Sequence, residues 1–441
     1  MTYPRAIVVG SGIAGLVTSA ALARHFKSVT LIDRDTISSE PADRNGVPQS
    51  YHFHGLLPGG LEIMMELFPG FSDDLLKAGS LTPGPSEFYA YLPEGKSYSI
   101  MRFQPQPQSP PAGFPPTHIQ SRRLLERCLR DRVESVANIE TRYESMVRDL
   151  LIEDGQVCGV KLEGTGETLE ADLIIDATGR VSRTLGWLDT LGFERPAESH
   201  IHCDFAYTSV FLKPATPDLF TDVGFFLGSD PQSPHPNGGG ALVRMEEGLW
   251  LAMVAGRFGD HPPTTLSGLL EFARTLIEPR FHELISKAQV LNEPHHFKFP
   301  RSIRRHYERL EEFPEGLLPI GDAISHNNPV YGQGMSSAAR QAQALGILVG
   351  ERADSNQTLA GLWRDYFPRM FEETRAPWLF AAMADFARPQ CTGDFPSEEQ
   401  ASIERLTELM QLGDNGDAEA AALVANVGAM RMPLAALHDP L

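Results

Sequence analysis

Ala6-Ile7-Val8-Val9-Gly10-Ser11-Gly12-Ile13-Ala14-Gly15, running on to Val29-Thr30-Leu31-Ile32-Asp33, is the stretch on which the fold turns. Ala6 to Val9 is short, apolar and rich in β-branched residues, which predicts a buried strand. Leu16, Ala20 and Ala23 recur at helical spacing and predict a helix after the glycines. Val29 to Ile32 predicts a second strand that ends at an acid. Strand, G-x-G-x-x-G, helix, strand and acid, in that order, form a dinucleotide-binding fingerprint within a parallel βαβ unit. Gly10 allows the tight turn, Gly12 lets backbone approach a diphosphate, and Gly15 lets the helix pack on the strand. Asp33 is placed to accept hydrogen bonds from ribose hydroxyls. A plain strand-to-helix turn followed by a surface Asp is the competing reading.

A second glycine-opened helix is expected far along the chain, in Leu317-Leu318-Pro319-Ile320-Gly321-Asp322 through Gly332-Gln333-Gly334 to Arg340. Leu317 to Ile320 predicts a short buried strand. Ala338, Ala342, Leu345 and Val349 predict the helix. An acid at a strand end beside a helix amino terminus suits a polar, partly anionic ligand, because the first helical N–H groups are unpaired. Taken alone, a tight turn accounts for these glycines equally well.

Composition sets the outer bounds. A chain of 441 residues suggests roughly two or three domains. At 42% hydrophobic it can bury a large core, and its net charge of −19 argues against nucleic-acid or anionic-membrane partners. Cys128, Cys158, Cys203 and Cys391 are scattered and form no C-x-x-C pair, which fits reduced thiols in a cytoplasmic protein without a zinc site. Ala6 to Ala23 resembles a secretory signal, but three glycines interrupt it and a strand follows. No membrane span is expected, since no apolar run reaches the roughly 18 residues required.

Between the two glycine segments, Arg44-Asn45-Gly46-Val47-Pro48-Gln49 offers either a diphosphate partner or a surface Arg. His52-x-His54 lacks nearby ligating partners, so no metal is expected. The run PQPQSPPAGFPP at 104–115 predicts an irregular excursion. Ser121 reads as the cap of a helix carrying Leu125, Cys128, Leu129 and Val133, with Arg122 at its start either meeting a cofactor or solvated. A further buried strand ends at Asp176-Ala177-Thr178-Gly179-Arg180. Residues 198–258 have no helical period; runs such as Phe205 to Leu212 and Leu249 to Val254 predict a separate antiparallel sheet. A helix is expected near Leu266 to Ala288, and Phe297-Lys298-Phe299-Pro300-Arg301 leads back to the second glycine segment. Trp363, Tyr366, Phe367, Met370 and Phe371, then Trp378, Leu379, Met383 and Phe386, read as a helical core stripe.

Together, GSGIAG, DATGR and GDA…NPVYGQGMSSAAR make the sequence resemble the FAD-dependent monooxygenases, the superfamily of the p-hydroxybenzoate hydroxylase type and the squalene epoxidases. It looks closest to the bacterial polyether epoxidases, through Arg44-x-Gly46-Val47-Pro48-Gln49, Asp176 to Arg183, and Asn328 to Arg340. The fold this implies is α/β: a Rossmann-like FAD-binding domain from 1–80, 116–190 and 298–350, an inserted antiparallel-sheet substrate domain from 81–115 and 191–297, and a helical carboxyl-terminal region from 351–441.

The resemblance also implies roles. Gly10, Gly12, Ile13, Ala14 and Gly15 would hold the FAD diphosphate, and Asp33, with Arg34 beside it, the adenosine ribose. Arg44 and Arg122 match FAD-contacting arginines. Asp322 would bind the ribityl chain or diphosphate, while Gly332, Gly334 and Met335 face the flavin ring. Chemistry would be borne by the flavin, with His326, Pro329, Tyr207 and Phe225 as pocket candidates. Partners implied are O2, a lipophilic small-molecule substrate, and NAD(P)H or a flavin reductase as electron source. The aromatic hydroxylases carry Asp-Gly where this chain has Ala177 to Arg180, so the resemblance leaves the route of reduction open. Alkene epoxidation is the expected reaction; aromatic hydroxylation, a flavin dehydrogenase and a flavin-binding protein without activity are the alternatives. So is a halogenase, although Trp187, Trp250, Trp363 and Trp378 form no W-x-W-x-I-P signature.

Overall fold

The computed structural model describes residues 1–83, 88–91, 97–99, 116–215 and 223–439. The proline-rich run at 104–115 lies outside them.

A five-stranded parallel sheet forms the first layer, in the order Leu317–Pro319, Leu173–Asp176, Tyr3–Val9, Phe26–Ile32 and Ile139–Arg142. Its central strand reads as a continuous apolar run because both faces are covered: Ile7, Val8 and Val9 are all buried. Register puts Val9 opposite both Ile32 and Asp176, and Asp176 opposite Pro319. Four strands therefore end at one level. The residues just past their ends, Gly10, Asp33, Ala177 and Gly321-Asp322, emerge along one edge.

The second layer is a ten-stranded sheet, antiparallel except where Gly224–Leu227 runs parallel to Phe88–Tyr91. Its centre is the long strand Glu198–Lys213, flanked by Trp250–Arg257 and His295–Arg305. The sheet also takes Ser325–His326 and Thr392–Gly393. The strand His295–Arg305 thus straddles the boundary expected between 297 and 298.

The two faces of this sheet differ. One is closed by helices Leu266–Ala273 and Pro279–Lys287, which bury Val210, Phe225, Leu242 and Trp250 against Leu269, Phe272 and Phe281. A single helix was expected here. Pro279 instead opens a second one, where its missing N–H costs no helical bond. The other face carries Phe205, Tyr207, Phe297 and Phe299 and turns toward the parallel sheet.

Helix Leu362–Phe386 continues through Pro368 and Pro377, burying Trp363, Tyr366, Phe367, Met370, Trp378 and Leu379. The tail helices Gln400–Asp414 and Ala418–Gly428 close over its far end through Leu379, Leu406, Leu409 and Val427.

Candidate functional site

The edge where the parallel strands end brings the three glycine motifs together. Gly10 has φ +101°, and a Cβ there would lie 2.7 Å from the Ala177 carbonyl oxygen. A Cβ on Gly15 would lie 1.8 Å from the Gly10 oxygen, and one on Gly321 would lie 3.0 Å from Ala14 Cβ. These glycines serve the chain's own close packing. Gly12 and Gly334 do not. Gly12 has φ −70°, open to any residue, and a Cβ on either would meet no protein atom within 4 Å. Each precedes or opens a helix whose first N–H groups have no side-chain cap, Ile13–Ala23 in one case and Gly334–Asp354 in the other. Two uncapped helix amino termini at bare glycines form a cradle for anionic groups.

Around the first cradle lies a buried charge network. Glu126 accepts from Arg44 Nε at 2.8 Å, Arg130 Nη2 at 2.9 Å and Arg122 Nη2 at 3.2 Å. Burial alone would raise its pKa, but Arg122, Arg44 and Arg130 hold it below the usual carboxylate value. Asp33 Oδ2 accepts from Ser11 N at 2.6 Å, Ser11 Oγ at 2.7 Å and Arg44 Nη1 at 3.2 Å. Among the described residues its Oδ1 takes only the Asp35 N–H at 2.9 Å, so Oδ1 is the oxygen with acceptor capacity to spare for a ribose. Against burial, Arg44 and these donors keep Asp33 low. Arg34 stands at the rim, 4.0 Å from Asp35.

Arg44 is more committed than a diphosphate ligand need be, since it also bonds Asp35 at 2.9 Å. Its Nη2 nonetheless remains buried without a partner among the described residues, as does Arg122 Nε. Unsatisfied buried cationic donors beside the Gly12 cradle fit a diphosphate.

The other end of this edge is assembled from distant segments. Asp322 lies beside Gly179, and burial pushes its pKa up although Arg180, Arg122 and Arg305 oppose this. Arg180 stands 4.9 Å over the Phe297 ring, which lies 5.4 Å from Tyr207. His52 meets Tyr207 edge-on at 4.4 Å and pairs Nδ1 with the Ser209 hydroxyl at 2.8 Å. Burial and the neighbouring His54, His295 and His296 push His52 down to about 3, so it is neutral. His326, against Phe299, is likewise pushed down to about 3 by burial, Arg180 and Arg305. Pro329 is exposed at the start of the loop that Gly332, at φ +66°, turns into the Gly334 helix; Met335 is buried within that helix.

Of the four pocket candidates, His326, Pro329 and Tyr207 lie on this side. Phe225 does not. It is buried on the opposite face, 6.2 Å from Phe281, and its neighbour Phe226 points toward the ring end, against Phe53. Strand alternation sends adjacent residues to opposite faces, and sequence alone cannot say which face is which. Phe297, Phe299, Arg257 and Asp385 were not anticipated as site residues. The alternation in Phe297-Lys298-Phe299 and a lone Asp within the apolar run Phe380 to Phe386 were the available signals.

Among the described residues, no group of three or more His, Cys, Asp and Glu could hold a metal, and no helix is long and apolar enough to cross a membrane.

Comparison with known proteins agrees with this geometry. The model of the FAD binding domain family matches residues 4–354. Protein Rv3254 of Mycobacterium tuberculosis is 30% identical over 410 residues, spanning 88% of this chain and 81% of that one. Digeranylgeranylglycerophospholipid reductase 2 of Methanopyrus kandleri is 25% identical over 385 residues, spanning 86% and 85%. The same fold is seen in the flavin-dependent brominase Bmp2, with a TM-score of 0.64 at 16% identity over 97% of this chain and 98% of that one. It is seen again in 2-methyl-3-hydroxypyridine-5-carboxylic acid oxygenase, with a TM-score of 0.62 at 18% identity over 98% of both. The chain belongs to the FAD-binding domain family, and its cofactor is FAD.

Proposed function

We propose that this enzyme inserts one oxygen atom from O2 into a lipophilic small molecule, with alkene epoxidation of a polyketide- or terpenoid-like compound favoured over hydroxylation of a polycyclic arene. The observation that carries the reading is the wall opposite the Gly334 loop. Phe205, Tyr207, Phe297 and Phe299 cover it, and the histidines at its edge are neutral. Such a wall takes up apolar substrate and excludes water from the reacting centre.

In this reading Gly12, Arg122 and Arg44 Nη2 hold the diphosphate, Asp33 Oδ1 the ribose, and Asp322 the ribityl chain. Bound FAD would supply the redox chemistry that links O2 to an electron source, NAD(P)H or a partner reductase. The uncapped amino terminus of Gly334–Asp354 would stabilise negative charge that developed on the bound group. The parallel-sheet segments form the FAD-binding unit and the ten-stranded sheet the substrate unit.

The test is product analysis with 18O2. The purified holoenzyme is offered polyenes and polycyclic aromatics with NAD(P)H, with and without an added flavin reductase. One labelled oxygen in the product supports the reading. A second reading, reduction of a prenyl-type double bond, draws on the reductase relative of Methanopyrus kandleri. Anaerobic turnover giving a saturated product would favour it, and halogenated product only when bromide is added would favour a halogenase.

A further inference from the structure

One buried charge cluster joins the ring end to the carboxyl-terminal region, and the FAD reading leaves it unused. Asp385, on Leu362–Phe386, is 0% exposed. Its Oδ1 accepts from Arg257 Nη1 at 2.6 Å, from the Tyr331 hydroxyl at 2.6 Å and from Asn328 Nδ2 at 3.0 Å. Arg257 also lies 5.1 Å from the Phe205 ring and 5.9 Å from that of Tyr331. The loop is fixed at its other side as well. Asn328 N donates to Ser302 Oγ at 3.0 Å, and Asn328 Oδ1 accepts from Val330 N at 3.2 Å.

A buried ion pair is a weak source of net stability, since apolar side chains of the same volume would serve about as well. What charged partners add is direction, because each hydrogen bond fixes where a group must point. Here the groups fixed are Asn328 and Tyr331. Only Gly332 and Gln333 separate Tyr331 from the helix that opens at Gly334. A small displacement of Tyr331 therefore moves the first turn of that helix, and sites of this kind respond to shifts of about 1 Å.

We propose that Asp385 is a positioning residue of the flavin site, acting through Asn328 and Tyr331 to set the pose of the loop that opens the Gly334 helix. The helical carboxyl-terminal region is then part of the active site's construction. This rests on the reading that the loop at 329–334 borders the flavin ring.

The experiment compares holoenzyme variants Tyr331→Phe and Asp385→Asn with Trp378→Phe, a buried change on the same helix outside the cluster. The readouts are the flavin absorption envelope, its midpoint potential, the FAD dissociation constant and the melting temperature. Tyr331→Phe removes two hydrogen bonds with charged groups, one donated to Asp385 at 2.6 Å and one accepted from Arg257 Nη2 at 3.4 Å, and keeps the ring, so roughly tenfold weaker FAD binding is expected. A shifted flavin spectrum and potential should accompany it, with little loss of melting temperature. Trp378→Phe should lower the melting temperature and leave the flavin signals in place. Flavin signals that stay unchanged in Tyr331→Phe, or that track melting temperature alike in all variants, overturn the proposal. Should Asp385→Asn fail to fold, Tyr331→Phe decides by itself. Gly334→Val separates the two levels: if it too leaves the flavin spectrum unaltered, the placement of the ring is what fails.

Discussion

At the nucleotide end, Glu126 and Asp33 gather Arg44, Arg122, Arg130 and the Ser11 backbone into a buried network drawn from two stretches, residues 11–44 and the helix Arg122–Glu134. At the other end, Arg180 meets Phe297 and Phe297 meets Tyr207, while Arg257 and Tyr331 meet Asp385, six residues from six separate segments. The first region is built from two stretches, one of them the glycine motif and the strand that follows it. The second must fit one substrate and one pose of a ring, so it depends on how a sheet, a loop and a late helix meet.

The largest effect should come from breaking the network at the nucleotide end. Glu126→Ala leaves Arg44, Arg122 and Arg130 facing one another in a buried place and should cost about 3–5 kcal/mol. Chemical denaturation of the apoprotein measures it; a loss below about 1 kcal/mol would mean that solvent or relaxation neutralises the arginines. On the helix-covered face of the ten-stranded sheet, Phe225→Ala should cost about 3–4 kcal/mol by opening a cavity against Phe281. Phe226→Ala should cost less and instead alter KM for substrate. Equal stability losses with unchanged KM would erase the distinction between the two sheet faces.

Gly12→Val is the sharpest probe of the cradle. Its Cβ meets no protein atom within 4 Å, so the apoprotein should fold normally. FAD affinity should drop at least about a hundredfold, or ~2.7 kcal/mol, as titration followed by flavin fluorescence would report. Stoichiometric FAD in that variant contradicts the placement of the diphosphate.

The last effect, similar in size, is in the response to pH. His52 is held neutral in the fold at about 3 against an ordinary 6.5, so below 6.5 the unfolded chain binds a proton that the folded one refuses. Its contribution is fully present above about pH 6.5 and is lost as pH falls toward 3. His52→Gln should therefore flatten the stability profile between pH 6 and 4 by about 1.4 kcal/mol per pH unit. An unchanged slope would show that His52 is already protonated within the fold.

Legibility in the sequence divides along the same line. The capping role of Ser121 was readable, since its hydroxyl accepts from Leu124 N three residues on, at 3.2 Å. The strands of the second sheet were readable as β, yet Phe225 and Phe226 could not be assigned to faces without knowing what covers each. The helix expected near Leu266 to Ala288 was read through Pro279, whose value as a first helical residue was the missed signal.

By itself the sequence determined that a parallel sheet with glycine-opened helices binds a dinucleotide, because the fingerprint's order, glycine conformations and strand ends are properties of neighbouring residues. Only the tertiary structure decided which aromatic face looks toward the cofactor, and that Asp385 meets Arg257 across 128 positions and Tyr331 across 54. No periodicity or spacing encodes such a meeting. It arises when burial of an ionised carboxylate forces that group to find its partners wherever the packed elements deliver them.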